Sequence, residues 1–317
     1  MSPTLPPEGV PAEGSVPPEG LVLVDKPQGW TSHDVVGRLR RLAGTKKVGH
    51  GGTLDPMATG VLVCGVGRAT RLLGQIAGAD KTYEATIRLG ISTNTEDADG
   101  QIDAWGGNVD RALQDDELAT AIASLRGVIW QRPSSVSAIK VDGKRAYKRV
   151  RDGEQVELAK RQVTISAFDL IARRRELTVV PAGEEQRVVD VDVSVTCSTG
   201  TYIRALARDL GEALGTYGHL TALRRTRVGG FAIEQASTLD ELEANLQVVP
   251  LAQAAGDLFE TYVVDAPGEA EIGFGRRLDW PVELDPTGTI AVFNTEGDVL
   301  CLAQRKDDRL APVVVWV

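Results

Sequence analysis

Val48-Gly49-His50-Gly51-Gly52-Thr53-Leu54-Asp55-Pro56-Met57-Ala58-Thr59-Gly60 runs directly into the apolar stretch Val61–Val66. Four glycines in thirteen residues leave a backbone free to take positive φ and to approach a ligand closely. The apolar run that follows reads as a buried strand. One imidazole, His50, and one carboxylate, Asp55, stand inside the segment. A carboxylate on such a loop can act as a nucleophile or a general base; the plainer alternative is an Asp-Pro turn signal ahead of Pro56. Glycine-rich loops also cradle phosphates, but no Gly-Lys-Ser/Thr ending follows and no Gly-x-Gly-x-x-Gly opens a helix. The Gly-x-Ser-x-Gly elbow of serine hydrolases is missing. Only three histidines occur, with no His-x-x-x-His or Cys/His cluster, so a catalytic metal is not expected.

Outward from this loop the chain alternates strands and helices. Leu21–Val24 is a short apolar run ended by Asp25-Lys26-Pro27-Gln28-Gly29, a strand leading into a turn. Thr31 or Ser32 then caps a helix whose apolar positions Val35, Val36, Leu39 and Leu42 have helical spacing, closed by Gly44. Thr82–Gly90 places Tyr83, Ala85, Ile87 and Leu89 on one face, and Val188–Thr196 does the same with its valines, both half-buried strands. Asn94–Gly100 is an acidic loop that lacks the closing Glu of a calcium site and reads as a polar turn. Leu118–Leu125 is expected as a helix, Gly127–Trp130 as a strand and Lys144–Val150 as a basic helix. Tyr202–Leu214 reads as a helix ended by Gly215, and Arg224–Val228 as a basic strand. No strict βαβ period emerges, so the expected class is α+β with a mixed or antiparallel sheet.

The chain has 317 residues, enough for about two domains. Its 42% apolar and 25% charged content excludes collagenous, coiled-coil and wholly disordered classes. Residues 1–20 hold six prolines and little apolar content, and are expected to form a disordered tail without a secretion or transit signal. No apolar stretch approaches the ~20 residues that span a bilayer, so a cytoplasmic protein is expected. Cys64, Cys197 and Cys301 are odd in number and widely spaced, which suits buried small hydrophobes rather than disulfides or zinc ligands. The net charge of −9 argues at first against nucleic acid, since phosphate binding rests on Lys and Arg. The distribution is uneven, however. From Lys26 to Arg88 the balance is +6, from Gln131 to Arg161 it is +5, and from Val248 to Val317 it is −7. A basic front part with an acidic end is a pattern that fits a nucleic-acid face. Near Gln247–Asp257 the character changes. Turn signals at Pro267-Gly268, Asp285–Gly288 and Glu296-Gly297-Asp298, with a closing strand Pro312–Val317, suggest a small β-rich module over 248–317.

The stretch Gly49–Leu62 resembles the catalytic motif of the TruB family, the bacterial tRNA pseudouridine-55 synthases. Further blocks agree in the family's order: Val24–Gly29, Lys81-Thr82-Tyr83, Thr95–Gly100, Pro133–Lys140, Cys197–Arg204 and Leu223-Arg224-Arg225. The resemblance covers about 20–235 and implies a pseudouridine synthase catalytic domain over 21–247; residues 248–317 resemble the family's PUA-like RNA-binding module more loosely. It implies breakage of the N1–C1′ bond of the T-loop uridine (position 55) of tRNA, rotation of the uracil and formation of a C5–C1′ bond, with no cofactor. Asp55 would be the essential carboxylate, nucleophile at C1′ or base at C2′. Arg204 would pair with it bidentately and lower its pKa, Tyr83 would stack on the target uracil, and Tyr202 would handle protons at C5. His50 would stand on an exposed loop beside the RNA, in space vacated by base flipping. Lys26, Asp97 and Leu223 would line the pocket. Arg38, Arg40, Arg41, Lys46, Lys47, Lys144, Arg145, Lys148, Arg149, Arg224, Arg225 and Arg227 would contact phosphates collectively. The implied partner is the T-arm and T-loop of tRNA, bound by a monomer without an obligate protein partner or a membrane. Help with tRNA folding is a second activity the family implies.

Overall fold

A computed structural model describes residues 17–134, 140–141, 144–145, 158–181, 183–284 and 287–317. In chain order the strands of the first part are β1 (Gly20–Lys26), β2 (Val48–His50), β3 (Thr59–Val66), β4 (Lys81–Leu89), β5 (Ile91–Thr93), β6 (Ile102–Trp105) and β7 (Gly127–Gln131). They continue with β8 (Lys140–Val141), β9 (Lys144–Arg145), β10 (Arg161–Val179), β11 (Glu185–Cys197), β12 (Gly218–Val228), β13 (Phe231–Ala232) and β14 (Val249–Pro250). Ten of them form one sheet in the order β14-β1-β3-β12-β4-β11-β10-β7, with β2 added on β3 and β13 on β12. Every pairing in it is antiparallel except β12 on β3, where Arg224 and Arg225 face Thr59 and Gly60. The sheet is therefore mixed, as the alternation of patterns implied.

Period two explains how this sheet is covered on both faces. In β1, Val22 and Val24 enter one core while Leu21 and Leu23 enter another. In β3, Leu62, Cys64 and Val66 face the first core and Val61 and Val63 the second. A strand covered on both sides has no polar face, which is why these segments read as continuous apolar runs. Helices close the first core. Ser32–Leu42 contributes Val35, Val36 and Leu39, Asp115–Ser124 contributes Leu118 and Ile122, and Ile203–Ala213 contributes Leu206, Ala207 and Leu210. The first helix starts with a capping box: the Asp34 amide donates to Thr31 Oγ1 at 3.1 Å, and the Thr31 amide donates to Asp34 Oδ2 at 2.9 Å.

The last part carries its own five-stranded sheet from β15 (Glu260–Val263), β16 (Leu278–Asp279), β17 (Thr289–Phe293), β18 (Val299–Lys306) and β19 (Arg309–Val315), in the order β15-β17-β18-β19-β16. Its core holds Trp280, Ile290, Val292, Leu300 and Cys301. It is braced on the large sheet by Trp316, which joins Ala69, Leu72 and Ile76 in the second core. The Trp316 indole donates to the Arg68 carbonyl at 3.2 Å, and the Arg68 guanidinium donates to the Trp316 carbonyl at 3.1 Å.

Several sequence expectations change here. Glu19 pairs with Arg68 at 2.6 Å and Gly20 opens β1, so the end of the tail expected over 1–20 is built into the fold; residues 1–16 lie outside the described residues. Lys144 and Arg145, expected in a helix, pair as strand β9 with β8, and the rest of that stretch, 146–150, lies outside the described residues. Pro267-Gly268 is not a turn but the start of helix Ala266–Gly273, where proline costs nothing because the first amides have no partner; Asp265 caps it. The closing strand is Arg309–Val315 and leaves Trp316 free to dock. The 19-residue strand β10, unrecognised in the sequence, forms a long hairpin with β11. Cys64, Cys197 and Cys301 are buried and free, and burial pushes the Cys64 thiol up to about 12.

Candidate active site

The glycine-rich segment is the connection between β2 and β3, and it is held from both sides. Fully buried Lys26, at the end of β1, donates from Nζ to the carbonyls of Trp30 at 2.7 Å, Pro27 at 2.9 Å and Pro56 at 3.3 Å. Burial lowers its pKa to about 8, against the pull of Asp55. From β12, Arg225 is only 2% exposed and donates to the carbonyls of Val61 at 2.8 Å, Gly52 at 3.1 Å and Thr53 at 3.4 Å. Ser32, in the first turn of its helix, receives a bond from the Leu54 amide at 2.9 Å. Gly60 has φ +99°, and a Cβ there would lie 2.2 Å from the Arg225 carbonyl oxygen, so only glycine lets β3 run against β12 at this point. The loop thus projects Asp55 from a fixed backbone.

Asp55 forms part of the lining of a cleft of about 320 Å³ whose other walls include Tyr83, Arg161, Tyr202, Arg204 and Leu223. Strand register brings the walls together: Tyr83 of β4 faces Arg225 of β12, and Leu223, two residues from Arg225, lies on the same side. Arg204, in the first turn of helix Ile203–Ala213, is 6% exposed and places Nε 3.0 Å from Asp55 Oδ2. Its Nη1 donates to the Thr95 carbonyl at 3.0 Å and lies 3.4 Å from Asp97 Oδ2. Asp97 is itself held by the Thr95 hydroxyl at 2.5 Å and the Asp99 amide at 3.2 Å. One guanidinium therefore serves two carboxylates. The bidentate Arg204–Asp55 pair expected from the resemblance is replaced by a shared one.

The sharing has an electrostatic consequence. Burial raises the pKa of Asp55, Arg204 and Lys26 pull it down, and the Asp97 charge pushes it up; the net shift is upward. The expectation of a lowered pKa is thus reversed, because the loss of water around the carboxyl outweighs a cation that Asp97 also claims. Asp55 nevertheless keeps 38% of its side chain open to the cleft. The buried phenol of Tyr83 is likewise raised by burial.

Of the eight residues singled out in the sequence, Asp55, Tyr83, Tyr202, Arg204 and Leu223 line this cleft. Lys26 and Asp97 stand behind it, the first anchoring the loop and the second sharing Arg204, rather than lining it. His50 is not on an exposed loop: it ends strand β2, half-buried, with its ring edge-on to His33 at 6.2 Å. Burial lowers its pKa, so the ring is neutral at pH 7. His33 borders a neighbouring groove lined by Trp30, Arg38 and Arg41. Several expected phosphate contacts are committed elsewhere: Arg225 is buried under the loop, Arg38 pairs with Glu243, and Arg224 pairs with Asp25 at 2.7 Å. Lys148 and Arg149 lie outside the described residues. Sequence reasoning missed Gln131, fully buried at the end of β7. Its Oε1 accepts from the Tyr202 amide at 2.8 Å and its Nε2 donates to the Tyr202 carbonyl at 3.0 Å, which fixes that tyrosine against the cleft.

A mixed sheet with a carboxylate loop between two of its strands and an arginine at a helix start facing it defines the class, a pseudouridine synthase fold. Among solved structures, one described as an H/ACA RNP bound to a substrate RNA containing 2′-deoxyuridine shares the fold at TM-score 0.67 and 22% identity, covering 99% of this chain and 92% of that one. The model of the TruB family pseudouridylate synthase N-terminal domain matches residues 40–203, and that of the tRNA pseudouridylate synthase B C-terminal domain matches 204–254. A tRNA pseudouridine synthase B of Arthrobacter sp. (strain FB24) is 54% identical over 303 residues, 94% of this chain and 96% of that protein. One from Thermobifida fusca (strain YX) is 52% identical, over 94% of this chain and 98% of the relative. The chain belongs to the TruB family.

Proposed function

We propose that the Asp55 cleft takes a uridine of tRNA out of its stack and isomerises it to pseudouridine in place, and that the uridine is the T-loop residue at position 55. The observation that carries this reading is the meeting of Asp55, Arg204 and Tyr83 in one cleft, from three segments far apart in sequence. The N1–C1′ bond breaks, the uracil turns, C5 bonds to C1′, and the proton leaving C5 is balanced by one gained at N1. Substrate and product are isomers, so no oxidant, reductant or group donor is consumed. Asp55 acts on the ribose, at C1′ as nucleophile or at C2′ as base, and either role needs the ionised form that Arg204 and Lys26 favour. Tyr83 offers a flat face to the uracil, a contact worth about 1–3 kcal/mol for an extruded base. Tyr202 handles protons near C5, while Lys26 and Asp97 hold the loop and the arginine. His50 stands toward the RNA beside the groove of Trp30, Arg38 and Arg41.

The shape of a splayed loop, more than base-edge contacts, sets recognition of such a substrate. The acidic C-terminal part serves here chiefly as a brace, through Trp316. No described helix is long and apolar enough to cross a membrane, and the reading is of a monomer working on tRNA in the cytoplasm without an obligate protein partner. Tritium release from a tRNA transcript labelled at C5 of uridine tests it. Release is expected from the transcript carrying the T-loop uridine and is expected to fall by the equivalent of one uridine when that position is cytidine. Equal release from both transcripts would move the site elsewhere, and no release would remove the activity.

A further inference from the structure

Four cationic side chains line the cleft, and three of them are committed within the protein. Lys81 Nζ donates to the carbonyls of Ala77 and Ala79, each at 2.6 Å. Arg204 is divided between Asp55, Asp97 and the Thr95 carbonyl. Arg225 is spent on three carbonyls of the loop and of β3. Arg161 differs. It opens β10 opposite Gln131 of β7, and its guanidinium lies over the Tyr202 ring with Cζ 4.4 Å from the ring centroid. Its Nε and Nη2 are shielded from solvent and have no hydrogen-bond partner among the described residues. No carboxylate among the described residues forms an ion pair with it.

A shielded guanidinium without acceptors is costly, because its N–H groups have lost water and gained nothing. Stacking on an aromatic face holds the plane of the group, and Nη1, the one guanidinium nitrogen that is not shielded, is left to donate into the cleft. That donor can give one phosphate oxygen a charge-assisted hydrogen bond. Tyr202 is fixed below by the paired bonds of Gln131, so the plane has a rigid support. The helix beginning at Ile203 has no side-chain cap, and its positive end adds to the same field.

We propose that Arg161 binds one backbone phosphate adjacent to the base that enters the cleft, and so sets where along the RNA the ribose meets Asp55. The proposal rests on the reading of the cleft as a uridine site. Each nucleotide turned into the cleft brings one phosphodiester on either side of its ribose, and Arg161 is the cleft cation left to meet it.

The test is a double-variant cycle on binding and turnover with a T-arm RNA hairpin. The hairpin carries its natural linkages or a single neutral methylphosphonate, placed 5′ or 3′ of the target uridine. Arg161→Gln is expected to weaken binding of the natural hairpin about tenfold or more, as for a lost charge-assisted bond. One of the two neutral linkages should weaken wild-type binding similarly and cause no further loss in Arg161→Gln. The salt dependence of log Kd should fall by about 0.7–0.9 for that variant, the signature of one phosphate. Arg161→Lys, which keeps the charge but not the flat group stacked on Tyr202, should fall between; if the glutamine variant does not fold, the same cycle with lysine decides. Losses that multiply at both linkages, or wild-type affinity in Arg161→Gln, would overturn the proposal. Wild-type turnover of the natural hairpin separates the two claims: its absence defeats the uridine reading itself, whereas multiplying losses with intact turnover defeat only the role of Arg161.

Discussion

Replacing Arg204 by methionine removes the cation that Asp55, Asp97 and the Thr95 carbonyl share. Asp55 is 38% open, so water and ions reduce its share of the cost, while Asp97 is 6% exposed and is left as an uncompensated buried charge. Breaking a buried pair by removing one partner costs about 3–5 kcal/mol, and the partial exposure of Asp55 places this case near 3 kcal/mol, roughly a 150-fold change in the unfolding equilibrium. With the cation gone, the Asp55 carboxyl, already raised by burial, holds its proton to still higher pH. The loss should therefore be largest at mildly alkaline pH and shrink as pH falls and Asp55 is neutralised. Urea unfolding followed by tryptophan fluorescence at the two pH values measures this. Adding Asp97→Asn should restore most of the stability and none of the turnover, because Asp55 still lacks its orienting partner; tritium release should remain at least about a hundredfold below wild type. Wild-type stability in Arg204→Met, or no recovery in the double variant, would refute the sharing argument.

Turnover should fall as pH is lowered through the raised pKa of Asp55, with an acid limb above the ordinary carboxylate range; Asp97→Asn, which removes one cause of the rise, should move the limb to lower pH, and an unmoved limb would speak against the coupling. Gly60→Ala forces a Cβ to within 2.2 Å of the Arg225 carbonyl at φ +99° and should lose at least about 2 kcal/mol together with turnover; urea unfolding within about 0.5 kcal/mol of wild type would contradict it. Trp316→Ala should cost about 3–5 kcal/mol by emptying the contact between the two sheets, while turnover per folded molecule, measured after titrating active sites, stays unchanged.

Much of this architecture is legible in the chain because it is local. Thr31 and Asp34 announce a capping box, the alternation of Tyr83, Ala85, Ile87 and Leu89 gives the inner strand of the cleft, and the glycines around Asp55 mark a loop under close contact. What is not legible depends on contacts between distant segments. Arg225 reads as one more surface arginine until β12 carries it under the loop. Gln131 has no signal of its own, since only the fold brings it to the Tyr202 backbone. Arg161–Val179 lacks clean alternation because half of it projects as a hairpin exposed on both faces, with Leu170, Ile171 and Leu177 in solvent. The direction of the Asp55 shift also depends on tertiary structure: residue types suggest a carboxylate stabilised by arginine, whereas burial and the competing Asp97 decide the sign.

The central claim is that Asp55 performs the chemistry rather than shaping the loop. The most direct measurement compares tritium release and tRNA affinity for wild type and Asp55→Asn, a change that keeps size and removes the charge. Release reduced by several orders of magnitude, with affinity held within a few-fold and unfolding by urea unchanged or shifted to higher stability, is the predicted result, since the asparagine no longer holds a carboxyl that burial disfavours. Pseudouridine formation at a comparable rate in the asparagine variant would contradict the account.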